Sequence, residues 1–198
     1  SKIAENLMSY SVQSVQLAPN GVVTDIYPEE GNEAGKIDLL NDSNRGEISN
    51  YAKDHRTIII QGPIELKQGG SGLVVRNPIY LEDENGQEYF WGFTIVILRV
   101  PEVFEDSTYA LSKFQYNYRL SREVSVLDKN YVVVDANCDK IIRPVTYTFT
   151  VGKEKWKLEI MPRAGWSKSK TLYLILFGGL SLVLLLTGLT IVLFLLDE

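Results

Sequence analysis

Few residues in this chain are of the types that carry out covalent chemistry. The one histidine, His55, stands in a polar Lys53-Asp54-His55-Arg56 stretch without a cysteine beside it. Zinc sites need several His or Cys ligands at short spacing, so no metal centre of that kind is expected. The Gly-x-Ser-x-Gly elbow of a serine hydrolase does not occur. Gly69-Gly70-Ser71-Gly72 has the look of a phosphate loop, but it lacks the Gly-Lys-Ser/Thr ending and leads into a strand-like run. Glu82, Asp83, Glu84 and Glu88 crowd carboxylates together without the spacing of a calcium loop. The lone Cys138 excludes an intramolecular disulfide. These residues point to binding, not catalysis, with no cofactor and no metal.

The pattern that remains suits a small-molecule pocket. Such pockets are mostly apolar, with a few placed polar groups. Glu29 and Glu30 fall in a loop just after a strand, and Gln61, Arg76 and Trp91 fall on or near strands that can face one concave surface. Tyr80, Tyr89, Phe90 and Trp91 are able to wall it. Two readings of Arg76 stand. It either reaches a ligand, or it pairs with one of the glutamates and braces the sheet. The aromatic residues are likewise either pocket wall or core.

The elements that must position these residues can be read from periodicity and turn chemistry. Residues 1–16 predict a helix with Ile3, Leu7, Val12 and Val15 on one face. Pro19-Asn20-Gly21 is a turn signal, and 22–27 predict a strand. Short helices are expected over 34–40 and 45–53. Residues 57–61 and 64–66 are extended, separated by a turn at Gly62-Pro63. The strongest strands are 73–81 and 88–99, dense in Val, Ile, Tyr, Phe and Trp and joined by an Asn-Gly hairpin turn. A helix over 107–113 and strands over 114–120, 131–135, 145–151 and 155–160 follow. The fold class is α+β, with antiparallel sheets in two lobes and a boundary near residues 101–107.

Residues 171–196 form an uninterrupted apolar run without charge or proline. A spanning helix needs about 20 such residues, so a single transmembrane helix is expected at 171–196. Trp166 before it suits a membrane interface. Lys168 and Lys170 on the head side, with Asp197 and Glu198 beyond, would by the positive-inside rule put the head in the cytoplasm. The chain carries 20 Lys+Arg against 25 Asp+Glu, without a basic block, so nucleic acid is not an expected partner. In the span, Gly178, Gly179, Ser181 and Gly188 permit close helix approach, but no two small residues stand four apart. A homodimer contact is therefore expected mainly along the N-terminal helix, through Leu7 and Val12.

Several strings occur in an order that resembles the CHASE domain, the extracytoplasmic sensor module of bacterial diguanylate cyclases and histidine kinases and of plant cytokinin receptors. They are Ala18-Pro-Asn-Gly-Val-Val23, Ile26-Tyr-Pro-Glu-Glu-Gly-Asn-Glu-Ala34, Ile37-Asp-Leu-Leu40, Gly62-Pro63, Arg76-Asn-Pro-Ile-Tyr80 and Phe90-Trp-Gly-Phe93. Tyr118-Arg-Leu120 and Val151-Gly-Lys-Glu-Lys-Trp156 look like the family's second half. The resemblance covers about residues 10–166. It implies a long N-terminal signalling helix (1–17), a membrane-distal PAS-like lobe (18–104) and a membrane-proximal one (105–166). It also implies a head on the extracytoplasmic face of the cell membrane, dimeric signalling and a cytoplasmic output domain outside this chain. In the plant receptors an aspartate and a threonine hold the adenine-type ligand; those positions fall on Glu29 or Glu30 and on Gln61 here. The identities differ, so the resemblance implies a ligand in the distal lobe without implying an adenine. The alternative is a membrane-anchored domain whose partner is a protein.

Overall fold

The computed structural model describes residues 2–29, 37–66, 69–123, 130–166 and 170–196. The chain divides into two units, Ser1–Met161 and Pro162–Glu198. The first unit contains two sheets. One has five strands: β1 (Val12–Pro19), β2 (Asp25–Tyr27), β3 (Ile59–Glu65), β4 (Ser71–Glu82) and β5 (Glu88–Val100), in the order β2-β1-β5-β4-β3. The other has four: β6 (Tyr116–Glu123), β7 (Tyr131–Ala136), β8 (Val145–Val151) and β9 (Glu154–Pro162), in the order β7-β6-β9-β8. The helices of this unit are α1 (Lys2–Leu7), α2 (Gly46–Asp54) and α3 (Glu105–Lys113).

The β4–β5 hairpin is the frame of the first sheet. Its turn is held by Asp83, whose carboxylate accepts the N–H groups of Asn85 (2.9 Å) and Gln87 (2.8 Å). Gly86 takes the positive φ the turn requires. β5 then receives β1 on its free edge, antiparallel, with Gln16 opposite Ile95 and Ala18 opposite Phe93. The approach is closest at Gly92, which has φ 154°; a Cβ there would stand 2.2 Å from the Ala18 carbonyl oxygen.

Three local expectations are corrected. The N-terminal helix is not long: α1 ends at Leu7, and Val12–Pro19 is strand β1. The apolar spacing fitted a helix, but the open edge of β5 supplies backbone partners for this segment and draws it into the sheet. Val12 therefore lies in a strand, opposite Leu98, and not on a helix face with Leu7. Within 34–40, the described residues 37–40 form a bridge and a turn instead of helix, with Asp38 paired to Val22. Gly62-Pro63 does not end a strand; β3 runs through it with a register shift between Gln61 and Ile64.

The first sheet is covered on both faces. On one, Ala18, Ile59, Val74, Phe93 and Ile95 pack with Ala52 of α2 and with Leu39. On the other, Ile60 and Leu73 pack with Leu120, Val134 and Trp156 of the second sheet. A buried ion pair bridges the sheets there. Arg122 on β6 donates from Nη1 to Glu154 Oε2 on β9 (2.7 Å), with side-chain exposures of 1% and 6%. Arg122 also donates to the Gly62 carbonyl on β3, from Nε (3.1 Å) and Nη2, and to the Glu123 carbonyl (3.1 Å). The other Glu154 oxygen accepts the Ile60 N–H (3.0 Å). Burial pushes the carboxyl up and the guanidinium down, and each charge opposes the shift of the other.

The second unit contains α4 (Lys170–Leu196), apolar and exposed along its length. At 1.5 Å per residue it is about 40 Å long, enough to cross a bilayer with some tilt.

Removing one partner of a buried, hydrogen-bonded pair strands the other charge. Glu154→Ala should destabilise the folded head by about 3–5 kcal/mol in chemical denaturation. The double variant Arg122→Met/Glu154→Leu should recover most of that loss. A single variant within error of wild type would show that the pair does not hold the sheets.

Candidate functional site

The site grows from the α2-facing side of the five-stranded sheet. Arg76 on β4 stands opposite Ile59 on β3 and Ile95 on β5, among residues that pack beneath α2. It is 2% exposed, yet its Nε and Nη1 atoms meet no hydrogen-bond partner. Among the described residues no carboxylate forms an ion pair with it, so the brace reading of Arg76 has no geometric support there. Burial, together with the like charge of Arg45, pulls its pKa down to about 10, while Asp42 acts in the opposite direction. Arg76 thus remains a cation at neutral pH in a place that does not neutralise it.

The element above it explains the room for such a group. α2 buries Gly46, Ser49 and Ala52, three small residues one turn apart. Leucine or isoleucine at these positions would fill the space over the sheet. Ser49 is fully buried and its Oγ also lacks a partner. The helix is anchored from outside this stripe. Asn50 Nδ2 donates to the Leu40 and Gly46 carbonyls (2.9 Å each). Asp42 accepts the Asn44 and Arg45 N–H groups and the Arg45 guanidinium, all at 2.9 Å, and these hold its carboxyl below the usual range. On β1, buried Ser14 and Gln16 lie across β5 from Arg76, with Gln16 Nε2 donating to Ser14 Oγ (3.1 Å).

The other residues singled out by sequence distribute as follows. Gln61 is half-buried on β3, opposite Val74, and shares the sheet face of Arg76. Tyr80 follows the register shift in the β4–β5 pairing, where β5 carries the extra residue, Trp91; its hydroxyl donates to the Lys53 carbonyl at the end of α2, and its ring lies under Arg56 (4.3 Å). It packs edge-on to Phe90 (5.6 Å), which meets Phe93 (5.1 Å), so this aromatic group secures the helix end. Trp91 is half-buried in β5, and its carbonyl accepts the Asn20 N–H (2.8 Å). Glu29 is exposed after β2, and Glu30 lies outside the described residues. His55 stacks on Tyr51 (3.9 Å) at the helix end, away from any cluster of metal-ligating groups among the described residues. Sequence reasoning missed Ser49. Its signal was the Gly46, Ser49, Ala52 spacing, which puts small residues where a core helix face usually carries large ones.

Two solved structures align with this chain. An extracellular ligand-binding receptor from Desulfohalobium retbaense aligns with a TM-score of 0.54 at 12% identity, over 81% of this chain and 32% of that one. The chain thus spans about a third of that protein, and the likeness is one of fold. The ligand-binding domain of a Pseudomonas aeruginosa amino acid chemoreceptor, solved with GABA, aligns with a TM-score of 0.48 at 13% identity, over 80% and 79%. No curated protein matches the chain. Residues 3–130 match the CHASE domain profile, and the chain belongs to that family.

A buried, unpaired charge lowers stability, and an apolar replacement of similar shape removes the penalty. Arg76→Met should therefore raise the stability of the ligand-free protein by about 1–3 kcal/mol in urea denaturation. The gap should narrow above about pH 10, where folded Arg76 sheds its proton before the unfolded chain does, so that wild type gains stability as pH rises. A destabilised Arg76→Met variant would make Arg76 a structural brace.

Proposed function

We propose that this chain is the extracytoplasmic sensing part of a transmembrane receptor and that it binds a small organic acid beneath α2. The observation that carries the reading is Arg76: a guanidinium held charged inside a sensor-family fold, with Nε and Nη1 facing no acceptor. A carboxylate supplies what is missing, since it accepts two parallel N–H bonds from one guanidinium. Ser49 Oγ offers a further polar contact, and Gln61 shares the face. The ligand would then bring the counter-charge that the protein itself leaves out. That stabilises the folded, bound protein by mass action, and it signals to the extent that the acid binds one conformation of the head better than another.

In this reading residues 18–104 form the distal, ligand-binding lobe and residues 105–166 the proximal one. The head works as a homodimer, and α4 carries the change across the membrane to an output domain such as a diguanylate cyclase or histidine kinase. The apolar helix supports the anchoring, and family membership supports a head outside the cell, against the weaker cue of the flanking lysines.

Calorimetry of the full chain in nanodiscs, against amino acids and short mono- and dicarboxylates, tests the site. At least one should bind, and Arg76→Ala should weaken it tenfold or more. Arg76→Lys should recover only part of the loss, because an ammonium cannot make the bidentate contact. A bound acid whose affinity is unchanged in Arg76→Ala would move the site elsewhere. Topology has its own check: protease added outside intact cells should remove the head, and protection until lysis would reverse the orientation.

A further inference from the structure

The geometry points to a second small-molecule site, between the two sheets, for an uncharged, mainly apolar ligand. A cavity of about 370 Å³ lies there, walled by Leu73, Leu98, Leu120, Phe149, Trp156 and Leu158, with Thr108 and Leu111 of α3 along one side. Protein interiors hold few voids larger than a water molecule, whereas this volume falls within the range of ligand pockets. Among the described residues no charged side chain lines it, so an ion has nothing to meet there. The nearby charges of Arg122 and Glu154 are already joined to each other.

The polar groups on the wall fix the ligand's chemistry further. Thr108 uses its hydroxyl hydrogen on the Phe104 carbonyl (2.9 Å). Trp156 is 4% exposed, and its indole N–H has no acceptor. Phe104 stands edge-on to that indole (6.0 Å) and Phe149 lies nearly parallel to it (6.3 Å), which completes an aromatic wall. The indole nitrogen is itself closed off from the cavity. Beside the Ser107 and Thr108 hydroxyls the described wall is apolar, so an uncharged apolar body is what it fits. The site is distinct from the one at Arg76. Residues of β4 alternate between faces, so Arg76 looks toward α2 while Leu73 and Val75 line the inter-sheet cavity.

Acetophenone is a suitable probe, because it is uncharged and mainly apolar and quenches tryptophan emission on contact. In the full chain in nanodiscs, with Trp91→Phe and Trp166→Phe leaving Trp156 as the reporter, its quenching should saturate. Ethylbenzene, which is apolar and of similar size, should compete for the same space. Benzoate should not compete, and Arg76→Met should leave the saturation unchanged. Filling the cavity with Val103→Phe or Leu111→Phe should abolish saturation; either variant suffices if its circular dichroism matches wild type. Quenching that rises without saturating, or that persists in a folded filled variant, would overturn the site. Benzoate competing as well as ethylbenzene would overturn the assigned ligand class. Neither result would touch the acid site at Arg76.

Discussion

The buried pair of Arg122 and Glu154 is the contact on which the head's geometry depends. It joins three strands that are distant in sequence: β6 and β9 of the second sheet, and β3 at the edge of the first. Edge strands are prone to slip, because half of their backbone groups are unpaired. Here the Ile60 N–H and the Gly62 carbonyl are captured by a carboxylate and a guanidinium whose other hydrogen bonds are also made. Desolvating two charges is expensive. What the arrangement supplies is position: it pins β3 at one register against the second sheet. That register places Ile59 opposite Arg76 and Gln61 opposite Val74, so the polar face beneath α2 depends on a contact on the other side of the sheet.

The head buries two arginines with opposite fates. Arg122 has an acceptor for each of its three nitrogens, while Arg76 leaves Nε and Nη1 without one. Burial lowers the pKa of both; a carboxylate opposes the shift in each case, but only Arg122 is hydrogen-bonded to one, while Asp42 acts on Arg76 without an ion pair. The difference lies in what packs above each residue. Glu154 arrives on β9 beside Arg122, whereas α2 brings glycine, serine and alanine over the face that Arg76 shares. Unsatisfied buried polar groups are uncommon in native proteins and tend to mark functional sites. The two arginines are therefore told apart by the completeness of their partners, not by burial.

Legibility in the sequence followed the range of the interactions involved. The β4–β5 hairpin was readable because its causes are local: β-branched and aromatic runs on either side of a turn that Asp83 and Gly86 build within five residues. Helix α2 was readable for similar reasons. Residues 12–16 were misread, because their apolar spacing suits a helix in isolation, and their true partners lie on β5, about eighty residues further along. Arg76 stood out as a charged residue within a strand-forming run, but whether it had a partner did not. Ser49 passed unnoticed, since a serine in a short helix has nothing unusual about it until its hydroxyl proves buried and alone.

The sequence alone determined the apolar segment long enough to cross a membrane and the alternation of strands that makes the head α+β. Each follows from composition or from spacing of a few residues, where the physics is that of transfer from water and of backbone preference. Tertiary structure decided which strand fills the slot beside β5, which buried arginine is neutralised, and where two sheets leave a cavity between them. These depend on side chains that meet across tens of residues, and their energies are fixed by desolvation and pairing in the folded interior.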